Sequence, residues 1–250
     1  MRGRPCRSQR RLRYDNMHRS MTTPPAISVI IPVLGEAGGI NDLVAHLREI
    51  GRNHAVEIIV VDGEPGRSTI NAIGDAHVVT AVCDPGRAVQ MNHGAALADS
   101  DVLLFLHADT FLPPDAFARI VEALRDSEYV AGCFDLGIRS DQALFRITER
   151  YVALRTRVTR IPFGDQAVFI RRDYFERIGG FADIPIMEDV DLMRRIRGRG
   201  DVICIIPEKV STSARRWQRE GVLFTTLRNW ALQALYCIGV PPARLARFYR

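Results

Sequence analysis

The sequence predicts an α/β fold built on a mainly parallel sheet flanked by helices. The first observation behind this is a series of short aliphatic and β-branched runs at residues 27–33 (ISVIIPV), 56–61 (VEIIVV), 78–82 (VVTAV) and 102–106 (VLLFL). Such runs suit strands buried on both faces. The second is what lies between them. Ile40, Leu43, Val44, Leu47 and Ile50 recur at helical spacing, and residues 88–98 read as a further helix. The third is the recurrence of strand–helix–strand at intervals of about 20–25 residues, the pattern of βαβ units.

In chain order, strand one (27–33) runs into the loop Gly35-Glu36-Ala37-Gly38-Gly39 and then the first helix. Strand two (56–61) ends in Asp62-Gly63, and the short polar stretch 65–76 leaves room for a small helix. Strand three (78–82) leads through Asp84-Pro85-Gly86-Arg87 into the helix 88–98. Strand four (102–106) breaks into His107-Ala108-Asp109-Thr110, with Pro113-Pro114 beyond. After Asp115 the alternation changes. Phe117, Ile120, Val121 and Leu124 mark a helix, residues 130–138 a strand, and 142–160 a long helix with many Arg on what reads as its polar side. Residues 167–171 form a strand preceded by Phe163-Gly164-Asp165-Gln166, and 174–178 a short helix closing on Gly179-Gly180-Phe181. Met187-Glu188-Asp189 opens a helix running to about Arg197, and 202–206 is the last strand. The predicted organisation is a basic disordered tail at 1–25, one catalytic domain at 26–206 and a basic helical extension at 207–250.

A formal charge of +5 hides a division along the chain. Residues 1–26 carry seven Arg and one Asp, residues 27–206 are net −7, and residues 207–250 are net +6. Lys209 is the single lysine, so the arginine content reads as composition bias and not as phosphate recognition. No specific nucleic-acid partner is expected. Residues 1–25 lack the apolar stretch of a secretory signal and read as a tail, or as sequence ahead of a start at Met17 or Met21. The five cysteines are scattered without a CxxC, which points to free thiols, mostly buried, in a reducing, cytoplasmic setting. Residues 221–240 are the most apolar helix of the chain, but Arg228 and Asn229 interrupt them, leaving runs shorter than the ~20 residues a membrane span needs. With Arg215, Arg216 and Arg219 nearby, this amphipathic helix either rests on the inner face of the plasma membrane or packs on protein.

Neither GxGxxG nor GxxxxGK[ST] follows any predicted strand, which excludes the usual dinucleotide fingerprint and the P-loop. What the strands do carry is acid. Glu36, Asp62 and Asp109 each follow a predicted parallel strand, and Glu188-Asp189 opens a helix. Ligands of open α/β sheets bind beyond the carboxyl ends of the strands, so these groups are expected on one rim. Any one alone is an ordinary turn or cap residue; the joint pattern is not.

The residues 27–32 (ISVIIP) with Glu36, 58–63 (IIVVDG), 104–109 (LFLHAD), Gly164-Asp165-Gln166 and Glu188-Asp189 resemble, in order and spacing, the family 2 glycosyltransferases. Residues 85–95 (PGRAVQMNHGA), Leu106 to Thr110 and Ala214-Arg215-Arg216-Trp217 are similar to a bacterial subgroup associated with radical-SAM/selenodomain genes. The resemblance implies the GT-A, nucleotide-diphospho-sugar transferase-like fold. It also implies inverting, metal-assisted transfer of a sugar from a nucleotide-diphosphate sugar to an acceptor hydroxyl or carboxyl. By position, Pro32, Glu36, Asp62, Arg87, Asn92 and Asp109 correspond to the nucleotide side. Asp109, the last residue of a DxD-type motif, would coordinate Mg²⁺ or Mn²⁺. Asp189 matches the general base, with Glu188 beside it. Gly164, Asp165, Gln166, Arg216 and Trp217 belong to the acceptor or donor sugar. The sequence departs from the motif at His107, which stands where its first Asp would be and contributes no charge; it is a second metal ligand or a cap on the strand.

The chemistry asks for these residue types. A nucleoside-diphosphate leaving group gains negative charge, which a divalent cation on oxygen ligands neutralises. An attacking hydroxyl needs a base, and a one-step displacement needs no covalent nucleophile. Lipid, carotenoid-like acid, small metabolite and glycan all fit as acceptors. Two other classes compete: a sugar nucleotidyltransferase, which would need a basic phosphate loop where 34–39 (LGEAGG) stands, and a non-catalytic nucleotide-binding or membrane-associated protein.

Overall fold

The structure, a computed structural model, describes residues 26–249, apart from the side chains of Arg216 and Leu223. The tail expected at 1–25 lies outside the described residues. The eight described strands form one sheet: β1 (Ile27–Val33), β2 (Val56–Asp62), β3 (Val79–Val82), β4 (Val102–Phe105), β5 (Thr110–Phe111), β6 (Tyr129–Arg139), β7 (Phe169–Arg171) and β8 (Val202–Ser213). Their order is β3-β2-β1-β4-β7-β6-β8-β5. The first four strands pair in parallel, so their carboxyl ends share one edge, as expected. Beyond β4 the sheet becomes mixed: β7 is antiparallel to both β4 and β6, and β6 and β8 are parallel.

Every residue of β1 is buried, and alternate side chains serve two cores. Ile27, Val29 and Ile31 meet Leu43 and Leu47 of α1 (Ile40–Ile50) and Phe117 of α4 (Ala116–Ala123). Ile30 on the other face packs with Met91 and Ala95 of α3 (Arg87–Leu97) and with Val190 and Ile196 of α7 (Glu188–Gly198). The period-two pattern of a strand covered on both sides is therefore what the continuous apolar runs encode. The remaining helices are α2 (Ser68–Ala72), α5 (Ala143–Thr159), α6 (Arg172–Arg177), α8 (Arg215–Glu220), α9 (Val222–Cys237) and α10 (Pro242–Leu245). None of the described helices is long and apolar enough to cross a membrane.

Three local expectations change. The last strand does not end at Ile206 but continues to Ser213, so a boundary at residue 206 falls inside it. Pro207 is the reason the sequence looks terminated there. The structure accommodates it with a bulge, pairing Phe134 with Ile206 and then Asp135 with Lys209, which frees Pro207 from the ladder. The extension gives β5 its partner, with Thr110 opposite Thr212 and Phe111 opposite Ser211. Second, α5 is inverted relative to its composition. Arg155 is buried with Phe145 and Val152, while Ile147, Leu154 and Val158 face solvent. Third, of the three strand cysteines only Cys133 is fully buried. Cys83 and Cys204 are half-buried and Cys237 is exposed, and all four are free thiols.

Helix α3 carries Arg87 at its amino end, and its seat on the sheet fixes where that side chain lies. A Cβ added at Gly94 would stand 2.5 Å from Ile30 Cγ2 and 3.2 Å from Val61 Cγ2. Alanine would gain up to ~1 kcal/mol of helix propensity, while overpacking a filled core costs ~1–3 kcal/mol. Ile30 is fully buried and has nowhere to move. Gly94→Ala is therefore expected to lose about 1–2 kcal/mol of unfolding free energy in denaturant titration; a stabilised variant would show that α3 is not seated this closely.

Candidate active site

The residues after β4 form the first wall. The Thr110 N–H donates to His107 O at 3.1 Å, closing a tight turn. Thr110 Oγ1 bonds Thr212 Oγ1 at 3.0 Å, and Arg139 Nη2 donates to Asp109 O at 3.1 Å. Strand β5, two residues long, thus pins the turn to the end of β8 and holds the Asp109 carboxylate between two hollows. One is a pocket of about 200 Å³ lined by Arg87, His107, Asp109, Asp165, Asp189 and Trp217, among others. The other, of about 510 Å³, is more open and includes Glu36, Asp109, Arg139 and Arg215.

The turn Gly164–Gln166 is the second wall. Gln166 is buried and spends its amide on the protein: Oε1 accepts from Phe163 N–H (3.2 Å), Arg155 (3.1 Å) and Thr156 (3.0 Å), and Nε2 donates to Phe134 O (3.1 Å). It anchors the turn and lines neither hollow. Gly164 is required by crowding. A Cβ there would lie 2.8 Å from His107 Nε2 and 3.5 Å from Asp189 Oδ2. Its N–H instead donates to Asp189 Oδ2 at 2.6 Å. Asp165 lines the pocket with Oδ1 buried and unpartnered. Loss of water raises its carboxyl to about 6, with Arg155 opposing and Asp189 adding to the rise.

The third wall is the start of α7. Met187 adopts a left-handed conformation (φ 68°), which turns the chain so that Glu188 and Asp189 open the helix, where its dipole favours carboxylates. Asp189 Oδ1 accepts the Val190 N–H at 2.7 Å. Glu188 is buried behind the pocket and pairs with Arg87 at 2.9 Å, and its other oxygen has no partner. Burial lifts its carboxyl to about 7, against Arg87 and with help from Asp189. Arg87 therefore reaches the pocket already committed to Glu188. His107 is shifted the opposite way, to about 3, by loss of water and by Arg87. Its imidazole is neutral and able to serve as a ligand or hydrogen-bonding group.

Thr225 and Asn229 of α9, with Tyr249 and Trp217, complete the lining. Thr225 Oγ1 and Asn229 Oδ1 are buried without hydrogen-bond partners. The sequence reading missed these two, along with Arg139, Arg155 and Arg215. Arg215 Nη2 lies 3.4 Å from Glu36 Oε2 and 3.9 Å from Asp109 Oδ2. Of its neighbour Arg216 only the backbone is described. A signal for Arg155 existed: Phe145, Thr148, Val152, Arg155 and Thr156 share one helical face.

Three further residues expected on the nucleotide side line neither hollow. The Asn92 amide clasps the Phe181 backbone, donating to Phe181 O and accepting from Phe181 N–H, each at 2.9 Å. Pro32 is buried in β1 opposite Val61 and lines neither hollow. Asp62 is fully buried, with Oδ1 accepting from Glu64 N–H at 2.9 Å and Oδ2 unpartnered, and also lines neither. For a metal, the described residues hold no group of three or more His, Cys, Asp or Glu side chains close enough to share an ion. Asp109 and a neutral His107 are the donors at hand. That set suits an ion completed by phosphate and water oxygens, the habit of Mg²⁺, better than a protein-only cage.

The parallel-then-mixed sheet, with acidic groups gathered at its rim, defines a nucleotide-diphospho-sugar transferase-like protein of the GT-A fold. The family model described as Glycosyl transferase family 2 matches residues 28–182. The chain belongs to this family and is a glycosyltransferase. Two uncharacterized glycosyltransferases from two strains of Mycobacterium tuberculosis are each 28% identical over 230 residues, covering 84% of this chain and 84% of the relative. Among solved structures, a mannosyltransferase from Pyrobaculum calidifontis in complex with GDP-Man and Mn²⁺ superposes with a TM-score of 0.66 at 20% identity, over 91% of this chain and 68% of that one.

The raised carboxyls carry a pH signature. A carboxyl whose folded pKa lies above its unfolded value stabilises the fold fully below the unfolded value, and that contribution fades as pH rises through the folded one. For Asp165 the window is 3.8 to about 6. Asp165→Asn is therefore expected to unfold at a higher temperature than the native chain above pH 6, by roughly 3 kcal/mol at most, with the advantage vanishing toward pH 4. Thermal melts across pH 4–8 in chelator read this directly. A pH-independent difference would show that Asp165 is not the titrating group.

Proposed function

We propose that this glycosyltransferase moves a sugar from a nucleotide-diphosphate donor to an acceptor hydroxyl or carboxyl by single displacement with inversion. The observation that carries the reading is that Asp109 and Asp189, from the β4 turn and the α7 amino end, line the same pocket. A carboxylate on each side separates the two tasks of the reaction, handling the diphosphate and deprotonating the acceptor. Asp189 is the proposed general base. Gly164 N–H donates to one of its oxygens and Val190 N–H to the other, which fixes the carboxylate and leaves a remaining lone pair for the acceptor proton. Asp109, with His107 beside it, is the proposed holder of Mg²⁺ or Mn²⁺. When bound, such an ion would offset the charge of the departing diphosphate. The Mn²⁺ and GDP-Man bound by the structural neighbour support this kind of donor and ion.

On this reading Arg87 opposes the burial that raises Glu188 behind the base, and Arg155 does the same for Asp165. The open hollow with Glu36, Arg139 and Arg215 accommodates the nucleotide. Trp217, Thr225 and Asn229 form the acceptor side, where the two unpartnered oxygens can accept from sugar or acceptor hydroxyls.

A panel of UDP-, GDP- and dTDP-sugars, with and without Mn²⁺, tests the reading by thermal shift and by release of nucleoside diphosphate. Asp109→Ala is expected to abolish the Mn²⁺-dependent part of the shift. Asp189→Asn is expected to keep nucleotide binding while turnover falls ~10²–10⁴-fold. Absence of any nucleotide-diphosphate stabilisation, or full turnover without the Asp189 carboxylate, overturns the proposal.

A further inference from the structure

The solvent side of α5 carries Leu144, Ile147, Tyr151, Leu154 and Val158, at spacings of three and four residues along its whole length. These are not grazing exposures: Ile147 is 62%, Leu154 64% and Val158 72% accessible. Helix α9 repeats the pattern, with Phe224, Leu227, Ala231, Ala234 and Ile238 exposed at the same spacings. Tyr151 and Trp230 stack with ring centroids 4.1 Å apart, so the two helices are joined where their stripes run. Scattered exposed apolar residues are normal on a protein surface, whereas two aligned stripes mark an interface.

Charge decides the occupant. The exposed face of α5 adds Arg150 to its apolar stripe, with Arg146 and Arg157 beside it, paired with the buried Glu149 and Asp135 yet still nearly half exposed. Residues 222–250 contain four Arg and no acidic residue, though Arg228 is turned inward on Glu220. A second copy of the chain would set one net-basic face against another, because the nearby carboxylates Glu149, Asp135 and Glu220 are already paired with Arg146, Arg157 and Arg228. Residues 1–25 hold seven Arg and no apolar stretch, so they are ill suited to cover the stripes. An anionic bilayer surface meets both demands, taking the apolar side chains below its headgroups and the guanidinium groups at them.

We propose that α5 and α9 together form a platform that docks this protein on an anionic phospholipid surface. Helix α9 is then a two-sided wall, with Thr225 and Asn229 toward the pocket and Phe224 and Leu227 toward lipid. Helix α5, whose composition reads as a polar arginine-rich helix, supplies the other half of the contact.

The test is co-sedimentation of the full chain with vesicles of phosphatidylcholine alone and of phosphatidylcholine with phosphatidylglycerol. The native chain is compared with Ile147→Asp/Leu154→Asp and with Leu227→Asp/Ile238→Asp, all of them exposed positions outside the pocket. Each double variant is expected to lose on the order of 100-fold in partition to the anionic vesicles, with its unfolding temperature and nucleotide-diphosphate binding unchanged. The native chain is expected to bind anionic vesicles far better than neutral ones and to release as salt rises. Native-level binding by the α5 variant overturns the two-helix platform, as does equal partition onto neutral vesicles. A native dimer that the α5 variant disperses, with no vesicle binding, assigns the face to a second copy instead. Nucleotide binding is scored separately, so failure of the transferase mechanism leaves a different record from failure of the platform.

Discussion

The site depends on two arginines that reach a crowd of carboxylates from opposite directions. Asp189 lies close enough to raise the proton affinity of both Asp165 and Glu188, in surroundings that withhold water. Carboxylates in that position neutralise themselves unless cations hold them. Arg87 arrives from α3 and pairs with Glu188. Arg155 arrives from α5, stacked on the Phe163 ring at 3.6 Å and bonded to Gln166. Breaking one partner of a buried pair typically costs 3–5 kcal/mol, because the other charge is left uncompensated. The close seat of α3 at Gly94, the inverted face of α5 and the anchored turn Gly164–Gln166 all serve to deliver those two guanidinium groups.

Around that balance the chain spends backbone geometry where side chains would be too bulky. Gly164 fits between His107 and Asp189 only because it lacks a Cβ. Met187 accepts a left-handed conformation, uncommon outside glycine, and so aims Glu188 and Asp189 from the start of α7. Strain of this kind, of order 1–3 kcal/mol per residue, persists where surrounding packing over-determines it, and Val190, Leu192 and Met193 bury the helix immediately behind. Rigid placement matters for a displacement reaction, since a base that wanders by about an ångström loses much of its advantage.

The sequence made the parallel half of the fold legible because buried parallel strands leave long aliphatic runs, and β1 is found with the bounds its run suggests. It did not reveal β5, whose two residues carry no periodicity and exist only because β8 runs on past Pro207. The acidic groups at the rim were legible by type and order, and His107, Asp109, Asp165 and Asp189 do converge. Position in a motif was less reliable than bonding capacity. Asn92 and Gln166 are polar residues at suggestive places, yet both are consumed by backbone and buried side chains. Arg155 shows the reverse. An arginine reads as solvated, and only its phase with Phe145 and Val152 betrays that it points inward.

Family membership rests on residues 28–182, and that stretch contains the strands up to β7, the Asp109 turn, Gly164 and Asp165, while β8 lies beyond it. Glu188, Asp189, Trp217, Thr225 and Asn229 lie beyond it. The pocket is therefore assembled from two parts of the chain with different constraints. On the proposed reading the sheet rim cradles a diphosphate, whose chemistry is the same whatever the acceptor. On the same reading α9 faces the acceptor, and it is held beside the sheet cores, with Leu232 joining Ile186 and Leu245 in a small cluster, Trp230 stacked on Tyr151 and Tyr236 bonded to Asp191. A helix held beside the sheet cores can change its polar lining without disturbing the sheet. On the proposed reading, acceptor choice is then decided at Thr225 and Asn229, on the one element whose opposite face is free to answer to a different surface.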